Sequence, residues 1–218
     1  MHMDTGVCVL HLFCSPTERL HVDAVRAALI AARNDDCQIV TAAMLGHKAD
    51  LAVMALGKDV AMLRRLQSGL QRAGLKIVDS YLSITEVSEY AKGMPDEALQ
   101  ARLYPDLTEM EDKPAFCFYP MSKRREAHAN WYATPFEDRR DMMMEHGASG
   151  RKFAGKITQL VTGSTGLDDY EWGVTLFGMN LEVIKDVVYT LRYDKGSALY
   201  GEFGAFYVGY LAPIDEAL

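Results

Sequence analysis

The sequence predicts an α+β fold in which two ferredoxin-like halves, each of the order β-α-β-β-α-β, form a dimeric α+β barrel within one chain. The spacing of apolar residues alternates between strand-like and helix-like patterns, and the same order occurs twice along the 218 residues. A chain of this length can also bury about 70% of its unfolded surface, so it needs no disulfides to hold a core. The expected division is a first half at 1–90, a connecting segment at 91–114 and a second half at 115–218.

The first half contains four strand-like runs and two helical patterns. The strands are predicted from runs of apolar and β-branched residues, at 7–14, 37–45, 50–56 and 75–87. The helices are predicted from apolar residues spaced three and four apart, at 18–34 and 59–73. Gly74 follows the second helical pattern, where a glycine commonly ends a helix.

The second half repeats this order after a polar connection that contains prolines. Strands are predicted at 115–121, 156–162, 170–177 and 201–211, and helices at 135–146 and 180–193. The run GSTGLDD at 163–169 is similar to a phosphate-binding loop, but it joins two strands instead of opening a helix. A hairpin turn is therefore the better interpretation. The connection at 91–114 is long for a loop, and such loops are often functional.

Composition limits the class of protein. Hydrophobic residues make up 49% of the chain, and 30 acidic residues against 23 basic ones give a net charge of −7. This balance argues against a nucleic-acid partner. No apolar run approaches the roughly 20 residues that cross a membrane, and no signal peptide is visible. The four cysteines form no CxxC pair, so we expect reduced, buried thiols in a cytoplasmic protein without a membrane partner.

The helix predicted at 135–146 carries the first candidate for metal binding. Thr134 and Glu137 are placed as a capping box, and Gly147 is expected to end the helix just after His146. Met142, Met143 and Met144 are polarizable and suit contact with a large flat ligand. A histidine at a helix end more often stabilises the helix dipole than binds a metal, so both roles stay open at this point.

The region around this helix is also a basic island. Residues 119–156 hold eight basic and five acidic residues, a net charge of +3, so the remainder of the chain carries −10. Such an island could hold carboxylates or phosphates. A solvated helix face with ion pairs is an equally good interpretation from the residues alone.

Several motifs in order resemble one family. They are FYPMSKRR (118–125), NWY (130–132), EDRRDMMMEHG (137–147), GRKFAGKITQLVTGSTGLDDYEWGVTLF (150–177) and LRYDKGSALYGEFGAFYVG (191–209). They resemble the chlorite-dismutase-like family, and within it the coproheme decarboxylases known from Firmicutes. The likeness covers the second half closely, extends to ARLYP (101–105), and continues through the first half mainly as a pattern.

This resemblance implies an oxidoreductase that uses hydrogen peroxide to decarboxylate iron coproporphyrin III to haem b through a monovinyl intermediate, the last step of coproporphyrin-dependent haem biosynthesis. It implies that His146 binds the porphyrin iron. It also implies that Tyr119, which opens the YPMxK motif, is the catalytic tyrosine and forms a radical, and that Lys123 of the same motif steadies the reacting carboxylate.

The resemblance further implies which side chains contact the porphyrin. Arg102, Arg192 and Ser197 match residues that hold propionates, and Gln159 matches a distal glutamine. Whether Glu89 or Tyr90 contacts another propionate is left open, because SEY stands here where relatives have SNY.

The expected assembly is a homopentamer in the cytoplasm, and the resemblance allows a transient contact with a coproporphyrin ferrochelatase. Three other functions remain as alternatives. A chlorite-decomposing enzyme would share the fold, but Gln159 offers no fixed positive charge for chlorite. A haem peroxidase would not require Tyr119, and a non-catalytic haem-binding or transfer protein could also dispense with it.

Overall fold

A computed structural model describes residues 1–108 and 110–218. The first half contains four strands, β1 (Cys8–Pro16), β2 (Gln38–Met44), β3 (Leu51–Gly57) and β4 (Leu75–Ile84), and two helices, α1 (Val22–Asn34) and α2 (Val60–Arg72). Asp59 accepts a hydrogen bond from the backbone N–H of Ala61 and so caps α2. The connecting segment, of which position 109 lies outside the described residues, contains a helix that the sequence did not predict, α3 (Asp96–Leu103).

The second half follows the same plan with several short additions. Its elements are β5 (Ala115–Lys123), β6 (Arg125–Glu126), β7 (Ala129–Asn130), α4 (Phe136–Arg151), β8 (Ile157–Gly163), β9 (Trp172–Gly178), α5 (Leu181–Leu191), α6 (Lys195–Ala198), β10 (Gly201–Phe203), β11 (Tyr207–Leu211) and α7 (Ile214–Ala217). A single 3-10 turn at Trp131–Ala133 lies between β7 and α4.

The strands form one sheet that closes on itself. Their order is β10-β5-β11-β2-β3-β1-β4-β8-β9, and β9 also pairs with β5, so that eight strands form a barrel with β10 alongside β5. Within the halves the orders are β4-β1-β3-β2 and β11-β5-β9-β8, which is the ferredoxin-like arrangement in each. The predicted barrel of two ferredoxin-like halves is therefore confirmed.

The two halves meet along two strand pairs of the barrel, β2 with β11 and β4 with β8, and these two seams differ. β2 and β11 pair through a backbone ladder from Met44–Gly209 to Ala42–Leu211. β4 and β8 share one backbone pair, Ile84 with Gly163. Side chains supply the other contacts there: the Thr162 hydroxyl donates to Ser83 Oγ at 2.7 Å, and Asp168 accepts from the backbone N–H of Leu82 at 2.9 Å.

The apolar residues occupy three layers. One fills the barrel, where Phe13, Phe116, Phe118 and Phe177 are fully buried. The second lies between the first half of the sheet and helices α1 and α2. The third lies between the second half of the sheet and its helices. Because both faces of β5 are covered, its sequence AFCFYP is a continuous apolar run instead of an alternating one.

Several predicted boundaries differ from the structure, and three of them matter most. Helix α1 begins at Val22 and not at residue 18, because Thr17 and His21 donate backbone hydrogen bonds to the chain at the end of α2. The predicted strand 201–211 is two strands, separated near Gly204, whose N–H donates to the Pro120 carbonyl. Added at Gly204, a Cβ would lie 2.7 Å from the Pro120 ring.

The third correction concerns the helix that carries His146. It does not end at Gly147 but continues to Arg151, and the left-handed residue that follows it is Gly155, with φ of +78°. Nor does Thr134 cap this helix, because its hydroxyl donates to the carbonyl of Asn130. His146 therefore lies inside the helix, one turn or more from its end.

Two further expectations can be compared with the fold. All four cysteines are buried and unpaired, as predicted. The residues 163–169 form the turn between β8 and β9, as predicted. Among the helices in the described ranges, none is both long and apolar enough to cross a membrane.

Candidate functional site between the second half of the sheet and its helices

The register of the sheet places two predicted site residues on one face. Tyr119 on β5 lies opposite Val174 on β9, which lies opposite Val161 on β8. The neighbouring row contains Leu176 and Gln159. Residues directly opposite each other in antiparallel strands point to the same face. Tyr119 and Gln159 therefore both point toward the helices of the second half.

This face is covered on one side and open on the other. Tyr119 is 5% exposed and Val174 is buried, whereas Val161 is 44% exposed and Gln159 is exposed. Helix α5 packs on β5 and β9, but α4 packs mainly against α5 and α6. One side of α4 is consequently only half-buried. These incompletely covered apolar surfaces could be buried by a flat ligand.

His146 lies on α4 beside a buried carboxylate. Its Nδ1 is 3.1 Å from Asp194 Oδ2, and Asp194 Oδ1 accepts a 2.7 Å hydrogen bond from the Ser149 hydroxyl. Asp194 is buried in the segment between α5 and α6. Asp194 Oδ2 receives no hydrogen bond of good geometry from the described residues, so the approach of Nδ1 is a close polar contact. It keeps Nδ1 beside the carboxylate and leaves Nε2 as the nitrogen available to a metal.

The protonation of His146 also suits a metal ligand. Burial lowers its pKa, and the nearby Asp194 carboxylate opposes that effect only in part. The imidazole is therefore neutral near pH 7, as a metal ligand must be. Throughout residues 1–108 and 110–218, no three His, Cys, Asp or Glu side chains cluster as a metal site. A single imidazole fits a metal whose other ligands come from a porphyrin.

Tyr119 is enclosed by aromatic rings. Its ring stacks on Phe206 with centroids 4.5 Å apart and is tilted against Phe203 at 5.9 Å. Burial raises the pKa of the phenol, so it is neutral at pH 7. Among the described residues its hydroxyl has no hydrogen-bond partner. Arg192, at the end of α5, places its guanidinium 3.6 Å from the centroid of the Phe203 ring, next to Tyr119.

Lys123 lies on the same face of β5 as Tyr119, about 13 Å farther along the strand at 3.3 Å per residue. It is buried, and its ammonium donates to the Gly196 carbonyl at 2.5 Å and lies 4.5 Å from the centroid of the Trp131 ring. Burial lowers the pKa of Lys123 to about 8, although the Glu171 carboxylate acts in the opposite direction. The cation is thus held by the protein itself and is not free in the open part of the site.

The other residues predicted to contact the porphyrin differ in burial and in their distance from the rest of the site. Ser197 is buried in α6, next to the glycine that binds Lys123. Gln159 and Arg192 are exposed at the open side of the layer and at the end of α5. Arg102 is exposed on α3, and the structure shows no contact between it and the other predicted residues among those described. The structure therefore places Lys123 near Ser197 and Tyr119 near Arg192, and it leaves Arg102 apart.

A cluster around Arg139 connects α4 with the segment after β4. Arg139 Nη1 donates to Glu89 Oε1 at 2.8 Å and to the Tyr90 hydroxyl at 3.1 Å. Three aromatic rings surround the guanidinium with centroids at about 6 Å, those of Tyr90, Trp131 and Phe136. Glu89 and Tyr90, which the sequence left undecided, thus both contact one arginine.

Three residues of this site were missed in the sequence. Asp194, Trp131 and Glu171 are all buried, and each contacts a residue that the sequence did single out. All three stand within the motifs quoted above, but no spacing rule ties them to their partners. Trp131 and Glu171 both contact Lys123, and they reach it only once the sheet and the 3-10 turn are folded.

Comparison with known proteins gives consistent results. A family model described as chlorite dismutase matches residues 19–212. The coproheme decarboxylase of Staphylococcus carnosus (strain TM300) is 39% identical over 236 aligned positions, which cover 96% of this chain and 92% of the relative.

Solved structures of the same shape are also found. A heme-binding protein from Thermus thermophilus superposes with a TM-score of 0.87 at 32% identity, covering 97% of this chain and 93% of that one. A mutant chlorite dismutase from Candidatus Nitrospira defluvii superposes with a TM-score of 0.76 at 17% identity, covering 99% and 95% of the two chains. At 17% identity, the second likeness supports the fold alone.

Proposed function

The chain belongs to the chlorite dismutase family, and we propose that it is a coproheme decarboxylase, an oxidoreductase that converts iron coproporphyrin III to haem b with hydrogen peroxide. The main observation in support of this proposal is the environment of Tyr119. Its phenol is buried and neutral, and its hydroxyl has no hydrogen-bond partner within the described ranges. It also lies on the face that turns toward the helices. The likeness to the Staphylococcus decarboxylase supports the same assignment.

The residues fit an iron porphyrin substrate. His146 would bind the iron through Nε2, with Asp194 holding Nδ1. Arg192 and Ser197 would bind carboxylates near α5 and α6, and Arg102 would join them from the connecting segment. Gln159 would face the ring from β8. The iron, when bound, supplies the oxidation chemistry with peroxide, and the protein supplies binding, orientation and charge.

Tyr119 would act by moving a hydrogen atom. A neutral phenol can lose an electron and a proton together, and the resulting radical can take a hydrogen atom from the β-carbon of a propionate. Loss of carbon dioxide and a second electron then leaves a vinyl group. Each conversion consumes one propionate, one proton and one peroxide, and yields one vinyl group, one carbon dioxide and two waters. Two peroxides are therefore needed for each haem b, with a monovinyl intermediate after the first.

Lys123 would stabilise the reacting carboxylate once its ammonium leaves the Gly196 carbonyl. An amine whose pKa lies near 8 is mostly charged at pH 7, so it can pair with the carboxylate. When carbon dioxide leaves, that pairing ends. The position of Lys123 on the same face as Tyr119 supports this role.

The decisive experiment adds iron coproporphyrin III, titrates hydrogen peroxide and follows the porphyrin mass. We expect two successive losses, each of one carbon dioxide and two hydrogen atoms from a propionic acid group, complete near two peroxides per porphyrin. The Tyr119→Phe variant should bind the substrate nearly as well but form no vinyl product, because only a hydroxyl is lost.

A matched control is Tyr189→Phe, which removes the hydroxyl of an exposed tyrosine on α5 and should react like the wild type. Porphyrin that is bleached or unchanged in the wild-type protein would instead indicate a haem peroxidase or a haem carrier. Oxygen release from chlorite at high turnover would indicate the chlorite-decomposing alternative.

We further propose that the chain works in the cytoplasm as a homopentamer that meets a coproporphyrin ferrochelatase transiently. The exposed apolar residues on and beside α5 support an assembly, because a large apolar surface usually becomes covered. These residues are Met179, Leu181, Tyr189 and Tyr193. Light scattering should give five times the mass of the chain.

A further inference from the structure

We infer that Arg139 is a carboxylate-binding residue for the porphyrin, and that Glu89 occupies it when no substrate is bound. This inference rests on the proposed function and gives Arg139 a role that the resemblance does not imply. The motifs assign three cations, Arg102, Lys123 and Arg192, to a substrate with four carboxylates. Arg139 would supply a fourth.

The first supporting observation is the position of Arg139 on α4. It precedes His146 by seven residues, which is two helical turns, so both side chains lie on the same side of the helix. Seven residues correspond to a rise of about 10 Å. If the iron is bound by His146 and the ring extends along the helix, the rim of the ring and its propionates lie near Arg139.

The second supporting observation is the set of hydrogen bonds that the Arg139 guanidinium makes. Nη1 already binds one carboxylate, that of Glu89, and the Tyr90 hydroxyl lies beside it. Nε is buried and has no hydrogen-bond partner among the described residues. Nε shares one edge of the guanidinium with Nη2, and two donors on one edge of an arginine suit a carboxylate with two oxygens. Glu89 and Tyr90 contact Nη1, which lies outside that edge, so the arginine keeps donors for a second carboxylate.

The surroundings explain why the arginine stays in place while Glu89 can leave. The Arg139 side chain is 16% exposed and is held between the rings of Tyr90, Trp131 and Phe136. Glu89 is 51% exposed, so water can solvate its carboxylate once it leaves the arginine. Replacing Glu89 with a substrate carboxylate would therefore cost little, and it would leave the arginine paired throughout.

Trp131 connects this residue with the rest of the site. Its ring lies between two cations, Lys123 at 4.5 Å and Arg139 at 6.0 Å from its centroid. Lys123 faces the strand side and Arg139 belongs to α4. The two cations thus flank one buried ring at the same end of the site, where two carboxylates of one substrate could be bound.

The test compares three single variants by their affinity for iron coproporphyrin III, measured from the Soret absorbance without peroxide. Arg139→Gln should weaken binding about tenfold, because a charge-assisted contact is lost. Glu89→Gln should tighten binding severalfold, because the competing carboxylate is removed. Arg140→Gln is the matched control, since Arg140 is an exposed neighbour paired with Asp141, and it should leave the affinity unchanged.

The opposite signs expected for Glu89→Gln and Arg139→Gln separate substrate binding from a general loss of structure. Because Glu89 is exposed, its variant remains informative even if Arg139→Gln folds poorly. If the wild type binds and converts the porphyrin while Glu89→Gln binds no tighter than Arg140→Gln, the inference is wrong and the proposed function stands. If the wild type binds no iron coproporphyrin, both are wrong.

Discussion

Replacing Lys123 with methionine should change how the free energy of unfolding depends on pH. Burial lowers the pKa of Lys123 from 10.5 to about 8 in the folded chain. Between these two values the unfolded chain holds a proton that the folded chain has released. Stability must therefore rise with pH across this window. The methionine variant keeps a long apolar side chain but has no proton to release.

The size of the effect follows from the same values. One pKa unit corresponds to about 1.4 kcal/mol, so the charge on Lys123 destabilises the folded chain by about 3 kcal/mol below pH 8. About 2 kcal/mol of this should be recovered between pH 7 and about pH 9.5. Urea unfolding of both proteins at several pH values measures it, and the wild type should gain about 2 kcal/mol more than the variant.

Other groups do not produce this difference. Burial raises the pKa of Cys14, Cys37 and Cys117 to about 12, and the variant keeps all of these thiols. Parallel pH dependence in the two proteins would show that Lys123 is not buried as a charged amine. The argument for its role in substrate binding would then lose its electrostatic basis.

The other two predictions concern porphyrin binding. His146→Ala should weaken binding of the iron porphyrin and shift its Soret band, because the axial imidazole is lost; an unchanged spectrum with normal affinity would contradict the assignment. Arg102→Ala or Arg192→Ala should lower the affinity for iron coproporphyrin III more than that for haem b, because the product has two carboxylates fewer; parallel titrations would show equal losses if these arginines are only surface charges.

Much of the fold could be predicted because local patterns and the overall topology agree. The eight barrel strands and four of the helices follow from periodicity, since each has one or two buried faces. The sequence pattern misplaces the end of α4 because a glycine after a helical pattern indicates a helix end. Gly147 and Gly150 are both accommodated within the helix, where Ser149 is fixed to Asp194. Tertiary contacts overrode the local preference.

In the candidate site, too, residues in local motifs could be predicted, whereas their partners from distant parts of the sequence could not. Tyr119, Lys123 and His146 stand in sequence motifs and could be named. The partners that set their chemistry could not, because Asp194 lies 48 positions after His146 and Gly196 lies 73 positions after Lys123. Such pairs are defined only when the strands and helices are packed. The pairing of Arg139 with Glu89 is another contact between residues distant in the sequence that could not be predicted.

The unequal seams of the barrel bear on how the two halves find each other. A backbone ladder such as that between β2 and β11 uses groups that every residue carries, so its alignment is set by which side chains become buried and by the Thr41 hydroxyl, which donates to the Ala212 carbonyl. The seam between β4 and β8 depends instead on particular hydroxyl and carboxylate groups, those of Ser83, Thr162 and Asp168. These groups meet only when the strands are correctly aligned. The seam with the fewest backbone bonds therefore also contributes to the correct alignment of the two halves.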